Sequence, residues 1–213
     1  MTRVYVFVEG QTEETFVRDV LGPYFERQRI WLTPILAETS PGYKGGIVSY
    51  GKVKNQVTRL CRKDKNAWVT TLIDYYGLPT DFPQFAQGNV SAVQRVQHLE
   101  QALAQDISER NFLPYLALHE FEALLFCDPA QFHEWFDDER AVAVLETVKA
   151  SYGNPEEIND SPQTAPSKRI LAAIPAYKKT LHGPMIANEI GIDAMRDQCP
   201  HFNDWIKSIE SLA

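Results

Sequence analysis

The sequence predicts an α/β fold: a mostly parallel sheet flanked by helices, followed by a C-terminal helical extension. Three observations carry this expectation. From Val4 to Asp74 the elements read β-α-β-α-β, the alternation of parallel strands with crossover helices. Residues 68–73 form an uncharged run of β-branched, aliphatic and aromatic residues, of the kind that is buried on both faces of a parallel sheet. After Phe126 the strand signals stop, which divides the chain into an α/β domain over 1–127 and a helical extension over 128–213 packed on it.

The first strand, Val4 to Val8, ends at Glu9-Gly10, and Thr12 opens a helix whose apolar stripe is Phe16, Val17, Val20 and Leu21. Gly22-Pro23 ends or kinks that helix. A second strand covers Ile30 to Leu36. The loop from Ser40 to Gly51 carries Gly45-Gly46, a pair that permits close backbone approach to a ligand. A basic helix over Val53 to Arg62 leads to the strand that delivers Asp74. Residues 79–88 are too rich in proline for a sheet centre and read as a lid or side wall. Ser91 and Gln94 have capping-box spacing ahead of a helix reaching about Arg110, and a fourth strand, Phe112 to Leu118, delivers His119-Glu120-Phe121-Glu122. Beyond it, Asp128-Pro129 and Asn154-Pro155 read as helix starts, and Gly183-Pro184 and Cys199-Pro200 as punctuation between short helices. The stripes Phe132, Trp135, Phe136 and Phe202, Trp205, Ile206, Ile209 read as core packing, and residues 151–167 as a linker.

At 213 residues, 44% hydrophobic and 23% charged, the chain has enough material for one well-buried core and the composition of a soluble globular protein. No run suggests a signal peptide or a membrane span. Cys61, Cys127 and Cys199 lack any metal or disulfide spacing, so a reducing, cytoplasmic setting is expected. A net charge of −7 opposes bulk attraction to nucleic acid. Local basic clusters remain: Lys52, Lys54, Arg59, Arg62, Lys63 and Lys65 in one, and Lys168, Arg169, Lys178 and Lys179 in the other. Each is either a phosphate contact surface or a solvated helix face.

The chemistry gathers at strand ends. Glu9, Asp74 and Glu120 or Glu122 each follow an expected strand, and Glu13 lies one helical turn beyond Glu9. Strand ends of one parallel sheet share an edge, where the fold leaves a crevice. Carboxylates converging there repel one another unless a hard cation lies between them, and oxygen-only ligation suits Mg²⁺ or Mn²⁺. Metal-assisted phosphoryl chemistry is the natural reaction class. His119 could bind metal, activate water or bond a backbone carbonyl. Lys168, next to the potential phosphate clamp Arg169, is the expected cation for developing charge. No Gly-x-x-x-x-Gly-Lys loop supports a nucleotide phosphotransferase.

Val8-Glu9-Gly10-Gln11-Thr12-Glu13 and Ile73-Asp74-Tyr75-Tyr76-Gly77 resemble the Toprim fold of topoisomerases, primases and overcoming-lysogenization-defect nucleases. Over nearly its whole length the chain is also similar to an uncharacterised bacterial family, through Asp74 to Pro79, His119 to Phe126, Ala165 to Arg169 and Cys199 to Phe202. The resemblance implies a Toprim-like sheet in which Glu9 is the Toprim glutamate, Glu13 the second acid of the nuclease-type motif and Asp74 the first Asp of Asp-x-Asp. It implies a metal-dependent nuclease or nicking subunit acting on DNA or RNA in phage defence, beside a partner ATPase; it leaves the oligomeric state open. Tyr76 departs from the pattern, standing where the second Asp belongs. Either Glu120 or Glu122 supplies the missing oxygen, or one metal is held, or catalysis is lost and a module binding nucleic acid or a partner protein remains.

Overall fold

The computed structural model describes residues 1–40, 43–47, 49–85, 90–159 and 163–213. Its centre is a parallel sheet in the order β2-β1-β5-β6, with β7 also on β5. Here β1 is Thr2–Val8, β2 Ile30–Leu36, β5 Ala67–Asp74, β6 Phe112–Leu113 and β7 Leu116–Ala117. Between β2 and β5 lie a small antiparallel hairpin, β3 (Glu38–Ser40) with β4 (Tyr43–Lys44), and helix α3 (Tyr50–Lys63). Pro34 sits on the edge strand β2, where a missing amide costs the sheet little. The expected fourth strand is two short pieces, because Pro114 between β6 and β7 cannot donate to the ladder.

Alternation along β1 assigns the two faces of the sheet. Phe7 joins Val69 and Ile73 of β5 in packing against α3 and α4 (Ala92–Ile107), through Val57, Cys61, Leu99 and Leu103. Val4, Val6 and Val8 face the other way, with Leu72. They pack against the first helical segment and the C-terminal helices α5 (Glu139–Ala150), α6 (Pro166–Ala173), α7 (Lys179–Ile190), α8 (Ile192–Gln198) and α9 (Pro200–Glu210). The core on this side runs without a break from Val6 to Phe202, Trp205 and Ile209. Two polar pairs lie inside: Trp205 Nε1 donates to Thr70 Oγ1 at 2.9 Å, and Thr71 Oγ1 exchanges hydrogen bonds with the Tyr115 backbone.

The first helical segment comprises α1 (Gln11–Phe16), a π-helical turn over Val17–Leu21 and α2 (Gly22–Glu26). Helical backbone thus continues through Gly22-Pro23, which does not end the segment. Its N-cap is Gly10; Thr12, the residue expected to cap, is buried instead. The capping box of Ser91 with Gln94 forms as expected. Asp128, Asn154 and Cys199 each precede a proline at the start of a helical turn, whereas Gly183-Pro184 lies inside α7. The stretch expected to be a linker contains a 3₁₀ turn at Pro155–Glu157. The buried Glu156 carboxylate there accepts from the His201 and Phe202 amides at 2.9 Å, capping α9 from a distance. Trp135 is the exception in its stripe, being 39% exposed. Residues 79–85 are irregular, and the remainder of the expected lid, 86–88, lies outside the described residues.

Candidate functional site

The parallel pairing of β1 with β5, Val8 opposite Leu72, brings Glu9 and Asp74 to the same edge of the sheet. The backbone amide of Asp74 donates to the Glu9 carboxylate. Asp74 Oδ1 accepts from the Phe121 amide at 2.9 Å, which ties the strand end to the 3₁₀ helix Phe121–Cys127 that carries Glu122. Glu13, only 3% exposed, comes from the first turn of α1. A Cβ on Gly10 would lie 2.9 Å from Glu13 Oε2, so the absence of a side chain at that position gives the glutamate its place. The positive-φ Gly46 donates its amide to the Glu9 carbonyl at 2.8 Å, a close backbone approach made to the site itself.

Of the two glutamates after β7, the structure brings Glu122 into this cup, fully buried, and sets Glu120 beside it, accepting from the Ser167 amide of α6 at 2.9 Å. Lys179, at the start of α7, stands among the acids. Its Nζ lies 3.1 Å from Glu122 Oε2, 3.5 Å from Asp74 Oδ2 and 3.8 Å from Glu13 Oε1. Glu13 Oε1 and both Glu122 oxygens are nonetheless buried without a hydrogen bond of adequate geometry. Such orphaned acceptors cost about 1–3 kcal/mol each, more when charged.

The electrostatics follow from burial. Desolvation, with Glu13 as the leading unfavourable charge, pushes Glu9 up to about 7. Desolvation likewise pushes Glu122 up to about 7, and Asp74 well above the usual carboxylate range, despite Lys179 pulling both down. For Lys179 burial works against the ammonium, but Asp74, Glu122 and Glu13 outweigh it and the net shift is upward, so the lysine stays charged. Glu9, Asp74 and Glu122 thus hold protons more tightly than ordinary carboxylates do, beside a lysine that stays charged. As the side chains stand, no three His, Cys, Asp or Glu among the described residues are arranged to chelate an ion, since the ammonium occupies the middle.

The other expected residues lie elsewhere. Lys168 is exposed on α6. Arg169 lies over the Tyr152 ring and donates to Tyr152 Oη and the Thr164 carbonyl, both at 2.6 Å. On α3, Lys52 donates to the Thr39 carbonyl, Lys54 pairs with Asp106 at 2.8 Å and Arg59 with Glu38 at 3.8 Å. His119 has a left-handed backbone (φ 65°), its carbonyl accepts from the Tyr76 amide and its Nδ1 lies 3.2 Å from Asn159 Nδ2. Tyr76 is 36% exposed. Lys179 was visible in sequence only as one of a basic cluster; nothing local marks it out, because its acidic partners come from distant strands and helices.

Residues 8–210 match the family model for a domain of unknown function, DUF4276. The chain belongs to this family. Among solved structures, the DUF4276 chain is similar to the C-terminal region of the Xanthomonas campestris pv. campestris OLD protein. The version phased with platinum is 13% identical, with 99% of this chain and 93% of that one covered and a TM-score of 0.48. The version phased with mercury is 14% identical, with 99% and 96% covered and a TM-score of 0.46. No curated protein matches the chain. Among the described residues no helix is long and apolar enough to cross a membrane.

Proposed function

We propose that this DUF4276 chain is a divalent-metal-dependent phosphodiesterase, a nuclease or nicking subunit with a Toprim-like acidic centre that cuts DNA or RNA. The observation that carries the reading is the convergence of Glu9, Glu13, Asp74 and Glu122 on one sheet edge, with three buried carboxylate oxygens lacking a hydrogen-bond partner among the described residues. The donor set fits a hard cation: it is all carboxylate oxygen, and the orphaned acceptors are what such an ion satisfies. Glu9, Glu13, Asp74 and Glu122 would hold Mg²⁺ or Mn²⁺, which when bound supplies Lewis-acid stabilisation of the attacking and leaving oxygens. Lys179, charged and 38% exposed, would meet a non-bridging phosphate oxygen once an ion displaces it from among the acids. Lys168 on the neighbouring α6 would steer the flanking backbone, and His119 flanks the acids as a candidate proton carrier. The backbone bond from Phe121 fixes Asp74 so that its second oxygen faces the cup. A role in phage defence beside a partner ATPase rests on the motif resemblance.

A second reading, a silent module that binds nucleic acid or a partner protein, is favoured by Tyr76 in the second acidic position and by Lys179 acting as an internal counter-ion. Supercoiled plasmid incubated with Mg²⁺ or Mn²⁺, alone and with an ATPase encoded beside the gene, separates the two. The nuclease reading expects nicking or linearisation that Asp74→Ala abolishes. No cleavage under any of these conditions, or cleavage indifferent to Asp74→Ala, would leave the silent module.

A further inference from the structure

Tyr177, just before α7, is 4% exposed, and its hydroxyl is buried with no hydrogen-bond partner among the described residues. Buried phenols ordinarily find an acceptor. The acids of the cup are close by: around Gly183 the phenol shares its space with Phe121 and Thr12, the chain neighbours of Glu122 and Glu13. Among the described residues both Glu122 oxygens and Glu13 Oε1 likewise lack a hydrogen-bond partner, with Lys179 as their counter-ion. A neutral phenol can donate and an ionised carboxylate can only accept, so the cup holds a hydrogen-bond donor and carboxylate acceptors that have no hydrogen bond among the described residues.

Room for that hydroxyl is built into α7. A Cβ on Gly183 would start 3.1 Å from Tyr177 Oη, 3.3 Å from the Phe121 ring and 3.5 Å from the Thr12 methyl. Glycine is disfavoured inside helices, and here its missing side chain preserves the space around the phenol, one turn beyond Lys179. While Lys179 is the counter-ion, it engages Glu122 through Oε2. Once Glu122 must offer one oxygen to an ion, its other oxygen requires a donor.

We infer that Tyr177 is a positioning residue of the cup: with a divalent cation in place, its hydroxyl donates to one Glu122 oxygen and leaves the other for the ion. The inference rests on the metal-centre reading above. Outer donors of this kind typically change metal affinity by about 10–100-fold. The test is Tyr177→Phe in the full chain, with thermal midpoints measured without metal and across an Mn²⁺ titration. The metal-free midpoint should hold or rise, because phenylalanine leaves no buried donor unpaired. The Mn²⁺ concentration giving half the stabilisation should rise by about tenfold or more. An Mn²⁺ curve that superposes on wild type overturns the inference, as does a lower metal-free midpoint, which would assign the hydroxyl a structural bond. Absence of any Mn²⁺ stabilisation in wild type is a different result: it removes the metal reading itself, and this inference with it.

Discussion

An ammonium held 3.1–3.8 Å from three carboxylates is both their counter-ion and a competitor for any cation that would replace it. Lys179→Met should therefore lower the metal-free melting temperature, since Glu13, Asp74 and Glu122 lose their compensating charge. It should also reduce the Mn²⁺ concentration needed for half-maximal stabilisation, while cleavage falls. Differential scanning fluorimetry reads the first two effects; a variant that no cation restores would speak for the silent module. The pH dependence follows from the same charges. Glu9 and Glu122 sit at about 7 when folded, against an ordinary value of 4.5, so the folded state binds their protons more tightly than the unfolded chain does. Their contribution is complete below about 4.5 and lost as pH rises through about 7. Metal-free melting temperatures should fall between these values, Mn²⁺ stabilisation should grow over the same range, and Glu122→Gln should flatten both trends.

At the scale of elements, local signals were the legible ones. The strands over 30–36 and 67–74, the basic helix and the Ser91 capping box could be read because an apolar run, helical periodicity and capping are properties of neighbouring residues. Gly183-Pro184 misled. In α7 the proline gives up the helical bond to the Thr180 carbonyl, and buried packing of Ile186, Ala187 and Ile190 outweighs that loss. The 151–167 stretch misled for a related reason: its buried Glu156 is bonded to α9, far along the chain. Cys199 offers α9 no side-chain cap, so Glu156→Ala should cost about 1–3 kcal/mol in urea unfolding, the range for a lost cap or a stranded pair of buried amides.

Across the whole molecule, the carboxylates of the cup were legible and their cation was not. Glu9, Glu13, Asp74 and the Glu120/Glu122 pair follow strand ends, and a parallel sheet puts strand ends on one edge whatever else varies. Lys179 arrives from the C-terminal helices, a long-range placement with no local mark. The same contrast divides the basic residues, many of which serve the fold. Arg169→Ala should lower stability by about 1–3 kcal/mol, through loss of its bonds to Tyr152 and Thr164. Lys168→Ala, exposed, should leave the melting temperature unchanged yet reduce the salt slope of nucleic acid binding by about one unit, measured by fluorescence anisotropy at several salt concentrations. Most direct for the central claim is anomalous diffraction from crystals soaked in Mn²⁺. The account predicts a peak bounded by Glu9, Glu13, Asp74 and Glu122, with the Lys179 ammonium moved aside; a cup still filled by Lys179 and no peak there would contradict it.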